Sequence, residues 1–431
     1  MRGPWPIEPE SWRSKDARYG LRFAMPYKLL FLDQFGTMGG GQRVLLDALE
    51  ALDPYEFTPT VALQGEGDFR EELKSSGKTL LNLPLGDYRS REKSVGDMVR
   101  FCFRTLLCSL FLIWSILRHQ FDLLIANGPR TFVCATLAGW VTRRPVVWHL
   151  HNVLPSGVAL RTLIFLSRWV DRILVCSKTA AEPLLKHHPE LQSKIRLVYN
   201  PFPRWHSSVP AEELMALRQN LHLQDGFICF GILGRTTPFK GQVCFIEAAT
   251  LVLQQFERAY FFVIGGPAAD DPRDQIYYNG LQFKVKKAGL DSRVFFIPHQ
   301  TKIERYYALL DVVVLASQGP EALPRTAIEA MYLGKPVIAP DQEGVREIIE
   351  NGNTGFLVEQ AQPELLADKM LELIHCPEKR ESVAMKARNH VMTFFSWKKF
   401  ERELKLTLTN CLKENGPKDS ESAIERSEVC K

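Results

Sequence analysis

Phe230-Gly-Ile-Leu-Gly-Arg-Thr-Thr-Pro-Phe-Lys-Gly-Gln242 is the stretch on which the fold turns. Phe230–Leu233 is short, apolar and suited to a buried strand. Gly234 opens a loop that carries Arg235 and Lys240, and Val243–Leu253 continues with helical character. A loop at the carboxyl end of a strand that presents two cations can bridge a diphosphate, arginine as a planar fork and lysine as a point charge. The bland alternative is a solvated pair of surface cations. The loop is not a Walker loop, because G-x-x-x-x-G-K-[ST] is absent.

Outward from this unit the same rhythm repeats. Downstream, strands are predicted over Tyr260–Ile264, Val294–Ile297, Val312–Ala316, Val337–Ala339 and Gly355–Val358. Upstream, Asn200–Pro210 breaks the alternation with three prolines and two serines, the mark of a linker. Before it lie Lys28–Asp33, Thr58–Leu63, Leu80–Leu83, Leu123–Asn127, Val146–His149, Ile173–Ser177 and Ile195–Tyr199. These runs are apolar on both faces, so they predict parallel strands covered by helices on both sides. The chain thus reads as an α/β protein of two Rossmann-like, doubly wound domains, residues 27–203 and 204–395. Residues 1–26 form an irregular leader, 396–412 a terminal helix and 413–431 a solvated tail. Ligands of such sheets bind outside the carboxyl ends of the strands, which places the site in the cleft between the domains.

Composition narrows the function. The 431 residues exceed a single core and carry 45% hydrophobic and 24% charged residues, as globular chains do. A net charge of +5 is mild at this length and speaks against a nucleic-acid partner. The 9 cysteines are odd in number, mostly within apolar runs and without a CxxC pair. No disulfide framework or zinc site is expected, and a reducing, cytoplasmic setting fits.

Val99–Leu117 (VRFCFRTLLCSLFLIWSIL) invites a membrane reading. Arg104 leaves only 13 charge-free residues, Thr105–Leu117, short of the roughly 20 that a spanning helix needs. Two readings stay open: a buried helix of the α/β domain, or a helix lying in the membrane interface with Arg89, Arg91, Lys93, Arg100, Arg104 and Arg118 near phosphates.

Three further constellations carry chemistry. Strand Lys28–Asp33 leads through Gly39-Gly40-Gly41-Gln42-Arg43 into a helix, an arrangement that offers free amides and a helix dipole to an anion. Val44 stands where a dinucleotide fingerprint from Gly39 needs its third glycine, so a dehydrogenase reading fails. In Glu321-Ala-Leu-Pro-Arg-Thr-Ala-Ile-Glu329, Pro324 suits a first helical turn, which leaves Glu321 on the preceding loop and Glu329 inside the helix. Two carboxylates so placed suit vicinal hydroxyls of a sugar or ribose; the alternative is a capping and a solvated glutamate. His149-Leu150-His151-Asn152 ends a strand with both imidazoles on one side, and a histidine there would be poised near neutrality for acid or base work. No third ligand accompanies the pair, so no metal is expected. Asp270, Asp271 and Asp274 lack a strand-end setting and read as solvent-facing.

Taken together, the chain resembles the GT-B retaining glycosyltransferases of family 4, the "glycosyl transferases group 1" type. The resemblance runs from about Lys28 to Val358. Its carriers are Gly39–Arg43, Val175–Lys178, Gly234-Arg235 with Lys240-Gly241, Phe262–Pro267, Asp311–Ser317, Glu321–Met331 and Gly334–Ala339. It implies that Arg235 and Lys240 hold the donor diphosphate, that Glu329 holds the ribose, and that Glu321 contacts the transferred sugar beside the Ala322 and Leu323 amides. His299 would touch the base, Gly39 and Gly40 would approach from the other domain, and His151 would contact the donor sugar near the reacting carbon. Glu347 would be structural. Ala322 and Glu343 replace frequent family glycines, so donor identity does not carry over.

The expectation is a metal-independent hexosyltransferase without cofactor, cytoplasmic and peripheral at the inner membrane face. It would move sugar from a nucleotide-diphosphate donor to a glycan or lipid-linked acceptor, with retention. The rivals are a nucleotide-sugar epimerase or phosphorylase on the same fold, and a non-catalytic scaffold of glycan assembly. An epimerase would need no acceptor; a scaffold would tolerate loss of Glu329.

Overall fold

The computed structural model describes residues 25–86, 95–205, 209–268 and 271–415. Arg89, Arg91, Lys93, Asp270, most of the expected leader and residues 416–431 lie outside them. The first domain begins β1 (Tyr27–Asp33), α1 (Gly40–Ala51), β2 (Phe57–Leu63), α2 (Asp68–Ser75), β3 (Thr79–Asn82) and α3 (Val95–His119). It continues β4 (Leu123–Asn127), α4 (Pro129–Thr142), β5 (Val146–Leu150), α5 (Val158–Leu166), β6 (Arg172–Val175), α6 (Lys178–His187) and β7 (Ile195–Leu197). After α7 (Ala211–Asn220) the second domain runs β8 (Ile228–Leu233), α8 (Gln242–Gln255), β9 (Ala259–Gly265), α9 (Pro272–Lys287), β10 (Val294–Pro298) and α10 (Glu304–Leu309). Then come β11 (Val312–Val314), α11 (Arg325–Tyr332), β12 (Val337–Pro340), α12 (Glu343–Arg346) and β13 (Phe356–Val358). Helices α13 (Pro363–His375), α14 (Pro377–Phe394) and α15 (Trp397–Asn415) close the described chain.

Both sheets are parallel, ordered β3-β2-β1-β4-β5-β6-β7 and β10-β9-β8-β11-β12-β13. The two-sided apolarity of the strands explains the layering. In β1, Leu30 and Leu32 enter the core beneath α3, α4 and α5, while Leu29 and Phe31 enter the opposite core with α1, α2 and α15. β8 divides likewise, Cys229 and Leu233 to one side and Ile228, Phe230 and Ile232 to the other. Each strand order reverses beside its first strand, β1 or β8, which is where open parallel sheets bind ligands.

Helix α15 returns to the first domain. Its Phe400, Leu404 and Leu408 are buried with α1 residues, and Lys405 and Glu414 pair with Glu56 and Arg172. Aromatic contacts join the domains at the crossing: Phe202 stacks on Tyr332 at 4.6 Å and Trp205 lies 5.6 Å from Tyr307.

Helix α3 is half core helix and half exposed apolar face. Cys108, Leu112 and Ile116 are buried in the core against α4, while Val99, Phe103, Leu106, Leu110, Trp114 and Leu117 are exposed. Val99–His119 is long and apolar enough to cross a bilayer by length and composition, yet it lies along α4, and two-thirds of it is not buried.

Candidate active site

In the second domain the site is built at the carboxyl ends of β8, β9 and β11. Gly234 takes φ +130°, and the Thr236 N–H donates to the Gly266 carbonyl at 2.7 Å, tying the Arg235 loop to the end of β9. Gly241 has φ +70°, and a Cβ there would lie 1.9 Å from the Ala316 carbonyl oxygen. Only glycine permits that approach, and it brings Lys240 to the end of β11. Lys240 Nζ donates to Glu321 Oε1 at 2.5 Å, and Ser317 Oγ donates to the same oxygen at 2.7 Å. Gln342 and Gln360 both donate to the Ser317 carbonyl, at 2.9 and 3.0 Å, and so fix the turn. A Cβ on Gly344 would lie 1.9 Å from the Glu321 carbonyl oxygen, so the Glu321–Ala322 backbone packs directly on α12.

Glu329 lies one turn inside α11, as the proline predicts. Its carboxylate accepts from the Tyr307 hydroxyl at 2.8 Å and sits 3.5 Å from Arg325 Nε. Burial, reinforced by the Glu329 charge, holds the Tyr307 phenol well above its usual range. Ala322 and Leu323 form the buried turn before Pro324. His299 is exposed on the loop after β10, with its backbone N 3.8 Å from where a Gly266 Cβ would be.

One expectation changes. Arg235 Nε lies 3.6 Å from Asp274 Oδ2, with the Arg235 side chain 66% exposed. Asp274 is therefore a buried partner of Arg235 rather than solvent-facing, because α9 starts against the Arg235 loop. Asp271 caps α9 and pairs with Arg273.

The first-domain half gathers at β1, β4 and β5. Buried Asp33 accepts from Gln42 Nε2 at 2.8 Å, from the Phe35 N–H at 2.9 Å and from Asn127 Nδ2. Asn127 Oδ1 in turn meets His151 Nε2. Because the Asn127 amino group is turned to a carboxylate, its oxygen faces the imidazole, so Nε2 carries the proton and Nδ1 is left as an acceptor. His149 and His151 rings lie 4.0 Å apart, on one side as alternation predicts. His151 is not poised near neutrality, however. Burial, then the charges of His149 and Arg325, holds its pKa well below the ordinary value, and burial takes His149 down to about 3. Both rings are neutral at pH 7. Gly39 caps α1, Gly40 is open to solvent, and a Cβ on Gly41 would lie 3.4 Å from the His151 ring.

Polar contacts cross the cleft between described residues. Arg325 Nη1 of α11 donates to Asp47 Oδ2 of α1 at 2.6 Å, both side chains nearly buried. The Glu347 carboxylate, after α12, accepts from the Lys178 and Thr179 N–H groups at the start of α6 (2.9 and 2.8 Å), from Thr179 Oγ1 and from the Tyr199 hydroxyl. That agrees with a structural role for Glu347 and is favourable at a helix N-terminus.

Asp33, Asn127, Asp47 and Arg325 escaped the sequence reading, although each left a signal. Asp33 and Asn127 are polar residues closing the buried apolar runs Leu29–Leu32 and Leu123–Ala126 at the ligand-facing edge. Arg325 is a cation in a first helical turn, where the helix dipole disfavours one unless an anion stands opposite.

Two parallel-sheet domains that face each other across a cleft, with the strand-end loops of both turned into it, define the GT-B architecture. The model described as "Glycosyl transferases group 1" matches residues 216–390, and that described as "Glycosyltransferase Family 4" matches residues 38–203. The chain belongs to the group 1 glycosyltransferases. Spore coat protein SA of Bacillus subtilis is 26% identical over 245 residues, 54% of this chain and 64% of its own. Lipopolysaccharide 1,2-N-acetylglucosaminetransferase of Salmonella typhimurium is 28% identical over 200 residues, 44% of this chain and 51% of its own. Anabaena HepE in complex with UDP and glucose superposes with a TM-score of 0.77 at 25% identity, covering 89% of this chain and 99% of that one.

Proposed function

We propose that this chain transfers a hexose from a UDP-sugar to a glycan acceptor, with retention of anomeric configuration and without a metal ion. The observation that carries the reading is the Lys240–Ser317–Glu321 cluster at the strand ends of the second domain, with α1 and His151 opposite and the Asp47–Arg325 bridge between the halves. UDP is favoured over other nucleotides because HepE, which shares the whole architecture, is held with UDP and glucose. A glycan acceptor is favoured by the lipopolysaccharide transferase among the relatives.

In this reading Lys240, with Arg235 swung from Asp274, meets the diphosphate and offsets charge as it leaves. Glu329, pre-set by Tyr307, takes the ribose hydroxyls, and His299 lies beside the base. Glu321 and the Ala322 and Leu323 amides hold the sugar. Gly39 and Gly40 approach from α1, and the neutral His151 offers Nδ1 as an acceptor to a sugar hydroxyl. Because His151 stays neutral, it orients and does not supply a proton. The acceptor attacks from the face the diphosphate leaves, and the departing phosphate oxygen takes its proton. Trapping a covalent glycosyl-enzyme would overturn that route.

A thermal-shift panel of UDP-, GDP- and ADP-sugars tests the donor. At 100 times its dissociation constant a ligand adds about 2.7 kcal/mol, which is readily seen. A shift with UDP-sugars alone supports the reading, and a flat panel removes it.

A further inference from the structure

We propose that the outer face of α3, α4 and α5 docks on an anionic lipid bilayer, flat along the surface. Helix α3 exposes Val99, Phe103, Leu106, Leu110, Trp114 and Leu117, spaced by three and four residues, so they form one stripe. Helix α4, packed beside it, extends the patch with Leu137, Trp140 and Val141; α5 and the turn after it add Val158, Phe165 and Trp169. Water-exposed apolar surface on three adjacent helices is what an interaction face requires.

Charge identifies the occupant. From the start of α3 at Val95 to Val170 the chain has eight arginines, no lysine and two acids, Asp97 and Asp122. Asp122 is engaged with Arg144, whereas Arg100, Arg118, Arg143, Arg161 and Arg168 are exposed. Arg168 lies 4.2 Å above the Phe165 ring and 5.4 Å from that of Trp169, a cation stacked on aromatics with its N–H groups available to phosphate. Apolar side chains ringed by arginines, with tryptophan among them, match the boundary between acyl chains and anionic headgroups. A second copy of the chain fits worse, since a two-fold contact would set the arginine rim against itself. The flat orientation follows from the opposite stripe of α3, whose Cys108, Leu112 and Ile116 are committed to the core. Helices α4 and α5 begin at the carboxyl edge of the sheet, so this face adjoins the cleft. An acceptor anchored in the membrane would arrive beside His151; that last step rests on the proposed transferase activity, whereas the docking does not.

The test is flotation of the full chain with vesicles of phosphatidylcholine alone or with 30% phosphatidylglycerol. Binding is expected only to the anionic vesicles and should weaken with salt. Arg100→Glu, Arg161→Glu and Arg168→Glu together should reduce partitioning more than a hundredfold, at about fivefold for each arginine lost and more for each reversal. The matching lysine variants should retain most of it. Leu106→Ser with Leu110→Ser and Trp114→Ser should abolish binding while the circular dichroism and the UDP-sugar thermal shift remain as in wild type, which separates failure of the surface from failure of the donor site. Wild type that fails to float, binds neutral vesicles equally, or self-associates through this face in sedimentation equilibrium would overturn the proposal.

Discussion

Replacing Arg325 with alanine leaves two carboxylates behind it. Asp47 has lost a 2.6 Å partner with both side chains at 11–12% exposure, and Glu329 has lost a cation at 3.5 Å. Burial already raises the Asp47 pKa, opposed mainly by the Arg325 charge. Removing one partner of a buried pair costs about 3–5 kcal/mol when the other charge stays buried. Here the chain has an escape, because parting the domains hydrates Asp47. The loss then appears as a shift toward an open cleft rather than as unfolding. Arg325→Ala is therefore expected to enlarge the radius of gyration in small-angle scattering, to speed amide exchange in α1 and α11, and to lower kcat/KM by about a hundredfold or more, while the unfolding midpoint moves little. Asp47→Asn should be milder, since Arg325 keeps Glu329. In a double-mutant cycle the pair should couple by at least about 1.5 kcal/mol, within the range for contacting residues. A cycle that closes to zero, with unchanged scattering, would refute the idea that this bridge holds the two halves together.

Lys240→Ala should lower kcat by about 10²–10³-fold, the range for removing one preorganised charge stabiliser, with a smaller loss in donor affinity; turnover within threefold of wild type in a radiolabelled transfer assay counts against Lys240 at the diphosphate. Asp33 sits in the folded state at about 6, raised by burial against hydrogen bonds from Asn127, Gln42 and Phe35. Its pKa is above the unfolded value, so its contribution is complete below about pH 4 and is lost as pH rises through 6. The stability of wild type minus that of Asp33→Asn should thus fall by about 3 kcal/mol between pH 4 and 7 in urea titrations, and a pH-independent difference would contradict the burial argument. Gly344→Ala forces a Cβ to within 1.9 Å of the Glu321 carbonyl oxygen and 2.5 Å of that of Ala322, so the sugar-side turn must move. Donor affinity should drop at least tenfold with a stability cost of about 1–3 kcal/mol, and calorimetry finding wild-type affinity would mean the turn is dispensable.

The sheets were legible because their physics is local. A run such as Leu29-Leu-Phe-Leu32, short, apolar on both faces and followed by a turn, suits a covered parallel strand, and all thirteen predicted strands are present within a few residues. Much of the second-domain site was legible for a related reason: Lys240, Glu321 and Glu329 lie at strand ends and helix starts whose positions follow from glycine and proline. What escaped were partners joined through space. Nothing near Asp47 in the chain announces Arg325, which lies 278 positions away. Nor does any spacing reveal that Asn127 reads out Asp33 and passes a fixed tautomer to His151. The pKa of His151 was misjudged because proximity of strand ends was considered without the burial that follows from it.

The distribution of apolar and polar contacts between the domains says how they can move. At the crossing, Phe202 on Tyr332, Trp205 near Tyr307 and Tyr199 near Phe395 bury aromatic surface, which is non-directional and tolerates small rotations. Across the cleft the contacts are instead directional, among them the ion pair of Asp47 with Arg325 and the Glu347 carboxylate over the start of α6. Ion pairs and hydrogen bonds exchange for water at small net cost once opening begins, whereas stacked rings do not. The hinge is therefore the apolar side and the latch the polar side. Arg325 belongs to both the latch and the Glu329 carboxylate, so a ligand that engages Glu329 acts directly on the group that holds the cleft shut. Closure and donor binding are then coupled through one guanidinium, and the cycle of Asp47 and Arg325 variants should change size in the presence of UDP-sugar; equal coupling with and without donor would uncouple them.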